Sequence, residues 1–230
     1  MFMIRPGFTS DAEEVYKLLK EVYYPEEPLT KANGLQADIP GVTKDILSQG
    51  HSVVAVSEGG RVVGVALNEA PPQNFPYIYT KTSEDIKFQE LFTYIERESG
   101  VLKIAPGSLE VRMITVDPEW RKLGIATALL DATRLNAIEN RLPFIKIYCT
   151  SAHSSSLISK MGWRLLYSLS YSRYLEEHPS GIVVPPAPHD CCKLYIDQIN
   201  GYQSSDGDLP VERVVSPNET VLRSKMLVRN

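Results

Sequence analysis

Three short stretches of the 230-residue sequence carry side chains able to move a proton or hold an anion. The first is YYPEEPLT, residues 23–30, where Glu26 and Glu27 sit between Pro25 and Pro28. Proline fixes φ, so these rings narrow the freedom of the turn and reduce the cost of ordering a carboxylate there. A carboxylate held in this way can serve as a general base and draw in a cation. The same residues also describe two solvated charges in a turn, and taken alone they favour that simpler account. The second stretch is WRKLGIATALL, residues 120–130, in which Arg121, Lys122, Leu123, Gly124, Ile125, Ala126 and Thr127 fall between an apolar strand and a helix rich in Ala and Leu. A helix start presents unsatisfied N–H groups and the positive end of a dipole, and Arg121 and Lys122 add charge to it. Gly124 lets phosphates approach the backbone, so a pyrophosphate can dock there. The alternative is a glycine that only relieves packing beside two solvated cations. The spacing is neither a dinucleotide-binding fingerprint nor a Walker loop. The third stretch is CTSAHSSS, residues 149–156, whose Thr150, Ser151, Ser154 and Ser155 suit a helix cap. Cys149 and His153 are a nucleophile and base by type, but no orienting partner is apparent, and the sequence reads as a buried thiol.

These residues need elements to position them. FMIR predicts a short strand, and Thr9 or Ser10 a cap for a helix with Val15, Leu18, Leu19 and Val22 on its apolar face, which the Pro25/Pro28 stretch must stop. GVTKDILSQG reads as a second helix and HSVVAVSEGGRVVGVALNE as an antiparallel hairpin turning at Glu-Gly-Gly. SEDIKFQELFTYIERESG is a third helix with Ile86, Phe88, Leu91, Phe92 and Ile95 on one face and Gly100 at its end. SLEVRMITVD and PFIKIYCT are strands on either side of the helix that follows Trp120. A short helix then ends at Gly162, and strands form around RLLYSLSYSRYL and CCKLYIDQI. The order is α+β: a mixed, mostly antiparallel sheet with one parallel crossover, flanked by helices. A single domain is expected over residues 1–203, with a tail of unknown role at 204–230.

Composition narrows the classes. With 43% apolar and 23% charged residues the chain suits a soluble globular protein, and no run approaches the ~18 apolar residues of a membrane span. A net charge of −4 argues against nucleic acid as a partner and is compatible with attracting a cationic small molecule. MFMIRPGFTS lacks the features of a signal peptide, so the expected compartment is the cytoplasm. Cys149, Cys191 and Cys192 read as free thiols, and His178, His189, Cys191 and Cys192 lack the paired spacing of zinc ligands, so no metal is expected.

The turn Arg121-Lys122-Leu123-Gly124-Ile125-Ala126 resembles the acetyl-CoA site of the GNAT superfamily of N-acetyltransferases, whose pattern is Arg/Gln-x-x-Gly-x-Gly/Ala. YYPEEPL, CTSAHSSSLISKMGW and VVPPAPHDCCKLYIDQI further resemble motifs of the insect-type arylalkylamine N-acetyltransferases. The resemblance implies the GNAT fold and acetyl-CoA as co-substrate. It also implies that Ile114, Thr115 and Val116 lie beside the pantetheine arm and that the amides from about Lys122 to Thr127 hold the pyrophosphate. The acceptor it implies is a small amine of the dopamine, serotonin, tyramine, octopamine or tryptamine type. Polyamines or other aliphatic amines are the alternative acceptors, and an acyl-CoA-binding sensor without turnover is the alternative function. An alkylammonium with pKa near ~10 must lose a proton before it attacks a thioester, and the family's Glu-Pro-Leu motif makes Glu27 the expected base. Thr150 and Ser154 match the family's hydroxyl positions and become candidate relay groups; Tyr24, Glu26 and Phe75 become candidate substrate contacts.

Overall fold

Residues 1–36, 40–71 and 83–199 are described by a computed structural model. The β-branched runs pair into a seven-stranded sheet in the order β1-β2-β3-β4-β5-β7-β6. The first strands are β1 (Phe2–Pro6), β2 (Val53–Ser57) and β3 (Val62–Glu69). They are followed by β4 (Leu109–Val116), β5 (Phe144–Cys149), β6 (Arg164–Ser170) and β7 (Cys191–Gln198). Every neighbouring pair is antiparallel except β4 and β5, which are parallel. The α+β order and the single parallel crossover expected from the sequence are both present.

The helices fall in two layers. One face of the sheet is covered by α7 (Ile125–Glu139) and α8 (Ala152–Lys160), which pack on Ala55, Val63, Ile145 and Ile147. Gly64 permits the close approach of α7, since a Cβ there would lie 3.0 Å from Ile125 Cγ2 and 3.4 Å from Leu129 Cδ1. The opposite face carries two clusters. Near β2 and β3, Val54, Val56 and Val65 pack on α1 (Ala12–Leu18) and α4 (Pro40–Ser48). Near β5 to β7, Phe144, Leu194 and Ile196 pack on α5 (Ser83–Ser99), the short α6 (Val101–Ile104) and α9 (Tyr171–Glu177). Alternate residues of β2 and β5 serve opposite faces, as the period of a strand requires.

The first helix stops within the Pro25/Pro28 stretch, as expected: it widens into a π-helical stretch at Leu19–Tyr23, continues as α2 (Tyr24–Glu26), and breaks at Glu27, where ψ is 120°. Pro25 is tolerated because it sits in a first turn, where its missing N–H is not needed, and Pro28 then opens α3 (Pro28–Ala32) by the same logic. The stretch YSRYLEE is α9 rather than strand, because a helical turn buries Tyr171 and Tyr174 together in one cluster, which outweighs their β propensity. One expectation on α5 is corrected: Ile86 is 49% exposed and stands off its apolar face, where Leu91, Tyr94 and Ile95 are buried and Phe88 and Phe92 pack half-buried against the same cluster.

Candidate active site

Where β4 and β5 begin they pair at only two positions, Leu109 with Ile145 and Glu110 with Lys146. Beyond these, β4 runs on to Val116 and β5 to Cys149, each bonded to its other neighbour, so the two strands splay and leave backbone edges facing a wedge. The wedge opens past Glu110 and Lys146, and Ile114, Thr115 and Val116 lie farther along its β4 side. At the end of β4, Asp117 accepts a hydrogen bond from Glu119 N and caps a turn at Pro118–Trp120, after which the chain enters α7. Lys122 and Gly124 both have positive φ, 64° and 80°, which folds the loop tightly before the first helical turn closes from Ala128 N to Gly124 O. The N–H groups ahead of that closure have no intrahelical acceptor, which makes the end of α7 an anion cradle. Arg121, Lys122, Leu123 and Gly124 are exposed, while the Ile125 side chain is buried in the core and can offer only its backbone.

The carboxylate singled out in the sequence is held on three sides. Glu27 is the N-cap of α3, and its oxygens accept from Leu29 N at 3.2 Å and Thr30 N at 2.7 Å. The Thr150 hydroxyl, at the end of β5, donates to Glu27 Oε1 at 2.7 Å. Tyr171 in turn donates its hydroxyl to the Thr150 carbonyl at 3.3 Å, which ties the end of β5 to α9. A carboxylate has about four acceptor positions, so three donors fix Glu27 and leave one free. Tyr23 lies against this site, and burial together with the Glu27 charge pushes its phenol well above the ordinary value.

The remaining candidates are placed differently. Glu26 turns toward the anion cradle: Arg121 Nη2 donates to its Oε2 at 2.6 Å, while Arg121 Nε donates to the Val116 carbonyl at 3.1 Å. Ser154 stays within the cap of α8, its hydroxyl donating to the Ser151 carbonyl at 3.0 Å. It also hydrogen-bonds the Cys149 thiol, which burial pushes up to about 12, so Cys149 is held as a neutral thiol and is a poor nucleophile. His189 accepts from Ala152 N through Nδ1 and lies edge-on to His153 with centroids 5.4 Å apart; His178 stacks on Tyr174. Among the described residues no group of three or more His, Cys, Asp or Glu is placed to hold a metal ion, and no helix is long and apolar enough to cross a membrane.

Glu27 and Thr150 open into a cavity of about 660 Å³ on the face opposite α7. Tyr24, Phe88, Phe92 and Tyr148 line it, with Phe92 edge-on to both Phe88 and Tyr148 at 5.8 and 5.2 Å. Phe75 lies outside the described residues. The sequence reading missed the charged groups in the wall: Glu69, Asp85, Glu96, Glu110, Arg112 and Lys146. The signal was present, since Lys146 interrupts the apolar run FIKIYC and Glu110 and Arg112 interrupt LEVRMITV.

The profile of the acetyltransferase (GNAT) family matches residues 12–157. The chain belongs to the GNAT acetyltransferase family. Solved structures agree on the fold of this GNAT acetyltransferase. Arylalkylamine N-acetyltransferase 2 from Aedes aegypti superposes with a TM-score of 0.78 at 23% identity, covering 86% of this chain and 99% of that one. Mosquito arylalkylamine N-acetyltransferase like 5b gives 0.76 at 21% identity, over 86% and 100% of the two chains. A Drosophila melanogaster polyamine N-acetyltransferase that forms N-acetylagmatine gives 0.72 at 23% identity, again over 86% and 100%. The family uses acyl-CoA as co-substrate, and the splayed strands, the positive-φ turn and the open start of α7 fit such a molecule.

Proposed function

We propose that this GNAT acetyltransferase transfers the acetyl group of acetyl-CoA to the primary amine of a small cationic acceptor by direct attack. The observation that carries this is the Glu27 carboxylate, fixed by Thr150, Leu29 and Thr30 in the lining of the cavity with one acceptor position left over. An alkylammonium with pKa near ~10 is inert until deprotonated, and Glu27, directly or through one water, takes that proton. The freed nitrogen attacks the thioester carbonyl, the carbon–sulfur bond breaks, and a thiolate leaves that must regain a proton. A backbone N–H on the open edge of Ile114–Val116 polarises the carbonyl, and the amides of Lys122 to Thr127 with Arg121 hold the phosphates. Thr150 orients Glu27; Ser154, beside the Cys149 thiol at the end of β5, is the hydroxyl assigned to the departing sulfur.

Two acceptor classes find support in the cavity. Tyr24, Phe88, Phe92 and Tyr148 suit the ring of an arylalkylamine such as dopamine, serotonin or tryptamine. A second reading, an aliphatic polyamine, is favoured by the five carboxylates Glu27, Glu69, Asp85, Glu96 and Glu110 set against two cations, Arg112 and Lys146. Thiol release from acetyl-CoA, measured with aryl, indole and polyamine acceptors, tests the transfer itself. Glu27→Gln should abolish most turnover while calorimetry shows acetyl-CoA still binding; undiminished turnover would remove Glu27 as the base.

A further inference from the structure

Glu69 ends β3, Glu110 begins β4 and Lys146 lies in β5, and the sheet register places them side by side, Glu69 beside Glu110 and Glu110 beside Lys146. They form a charged row across three strands in the cavity wall. Arg112 Nη1 lies 2.9 Å from Glu69 Oε2, and Lys146 Nζ lies 2.9 Å from Glu96 Oε1 and 3.1 Å from Glu110 Oε2. Tyr148 adds a hydroxyl donated to Glu96 Oε1 at 3.0 Å. Among the described residues three carboxylates of this row therefore face two cations, and one negative charge is left over. The surplus has an address: the Glu69 side chain is only 8% exposed, and its Oε1 is buried with no hydrogen-bond partner among the described residues. An orphaned buried carboxylate oxygen is costly, and the cost is removed when a donor arrives. Desolvation raises the Glu69 carboxyl above its ordinary value even with Arg112 beside it, which shows how incompletely the pair offsets burial.

We propose that Glu69, supported by Glu110, is a specificity-determining residue that receives a second cationic group at the far end of the acceptor. The inference rests on the N-acetyltransferase reading above and selects between its two acceptor classes. Thr150, which holds Glu27, lies four residues beyond Lys146, ~13 Å along β5 at ~3.3 Å per residue, and Glu69 stands two strands across at ~4.8 Å each. Glu69 therefore sits roughly 16 Å from the end of β5 that holds the base, or about 10 Å once a ~3 Å contact at each end is allowed for. The rings of Phe88, Phe92 and Tyr148 line the cavity and give an alkyl chain an apolar surface. The acceptor class is thus a linear primary amine with a second ammonium or guanidinium about 10 Å from the reacting nitrogen, ahead of an arylalkylamine that carries one charge.

The test compares 1,8-diaminooctane with octylamine, which share a chain and differ in the second charge, alongside 1,4-diaminobutane and tryptamine. The full-length protein should show kcat/KM for the long diamine about tenfold above octylamine and above tryptamine, with the short diamine gaining little. In Glu69→Gln the diamine-to-octylamine ratio should fall to near one. Arg112→Met, which leaves the row more negative, should raise that ratio, so the proposal remains testable if Glu69→Gln does not fold. A wild-type ratio near one, tryptamine matching the diamine, or a ratio that survives Glu69→Gln overturns the assignment. Should no amine release thiol, the transfer reading fails by itself; calorimetry of 1,8-diaminooctane against wild type and Glu69→Gln then decides the subsite, equal heats refuting it.

Discussion

Thr150→Val removes one hydroxyl and keeps the shape of the side chain, so it isolates the bond on which the proposed base depends. The hydroxyl donates to Glu27 Oε1 at 2.7 Å, the acceptor is a carboxylate, and Thr150 is 9% exposed. Hydrogen bonds to charged groups contribute ~1.5–3 kcal/mol, and Glu27 retains two amide donors, so about 2 kcal/mol is the appropriate figure. If the bond holds Glu27 in its reacting position through the transition state, kcat/KM for the amine falls about 30-fold, since ~1.36 kcal/mol corresponds to each tenfold. The same loss acts on the folded state and should lower Tm by a few degrees, given roughly 2–4 °C per kcal/mol for a chain of this size. Thiol release at 25 °C, well below the transition, separates the two effects. Thr150→Ser restores the donor and should recover most of the rate. A valine variant within threefold of wild type, with the serine variant no better, would refute the view that this hydroxyl orients the base.

Other consequences are more quickly stated. Arg121→Ala should raise KM for acetyl-CoA about tenfold if Arg121 makes the proposed charge-assisted phosphate contact, whereas Glu26→Gln, which breaks a half-exposed pair, should leave that KM unchanged or lower it. Gly64→Ala drives a methyl to within 3.0 Å of Ile125 Cγ2 and should cost ~1–3 kcal/mol in chemical denaturation. Two bonds from Arg5 and one from Phe8 N hold the Asp11 carboxyl below its ordinary value. The stability this gives is present at neutral pH and is lost as pH falls through the folded-state value; Asp11→Asn should therefore lower Tm at pH 7 and converge with wild type in acid.

The tight turn into α7 is legible in the sequence because its parts are consecutive. A strand ending at Val116, two cations, Gly124 and a helical period all fall within a dozen or so residues, and local conformation alone brings the amides together. Glu27 and Thr150 are 123 residues apart, and no periodicity states that they touch. What joins them is the end of β5 meeting the break between α2 and α3 at Glu27, inside the Pro25/Pro28 stretch where the sequence expects the helix to stop. The break matters to the chemistry. At Glu27 the extended ψ of an N-cap turns the carboxylate back over its own amides, so the geometry that ends one helix also aims the proposed base.

The charged row shows a different limit. Lys146 inside FIKIYC and Arg112 inside LEVRMITV announce, by position alone, side chains that point from a strand into something polar. Their partners were not readable, since Glu69, Glu96 and Glu110 reach them through sheet register and the packing of α5. Only the pairing shows that, among the described residues, the charges of the row do not balance and Glu69 keeps an oxygen to spare. A scaffold needing only stability would be served better by apolar residues at these positions, because a buried ion pair seldom outweighs the desolvation it requires. A surplus of carboxylates among the described residues of the cavity that Glu27 also lines fits instead the proposed ligand that brings the missing charge.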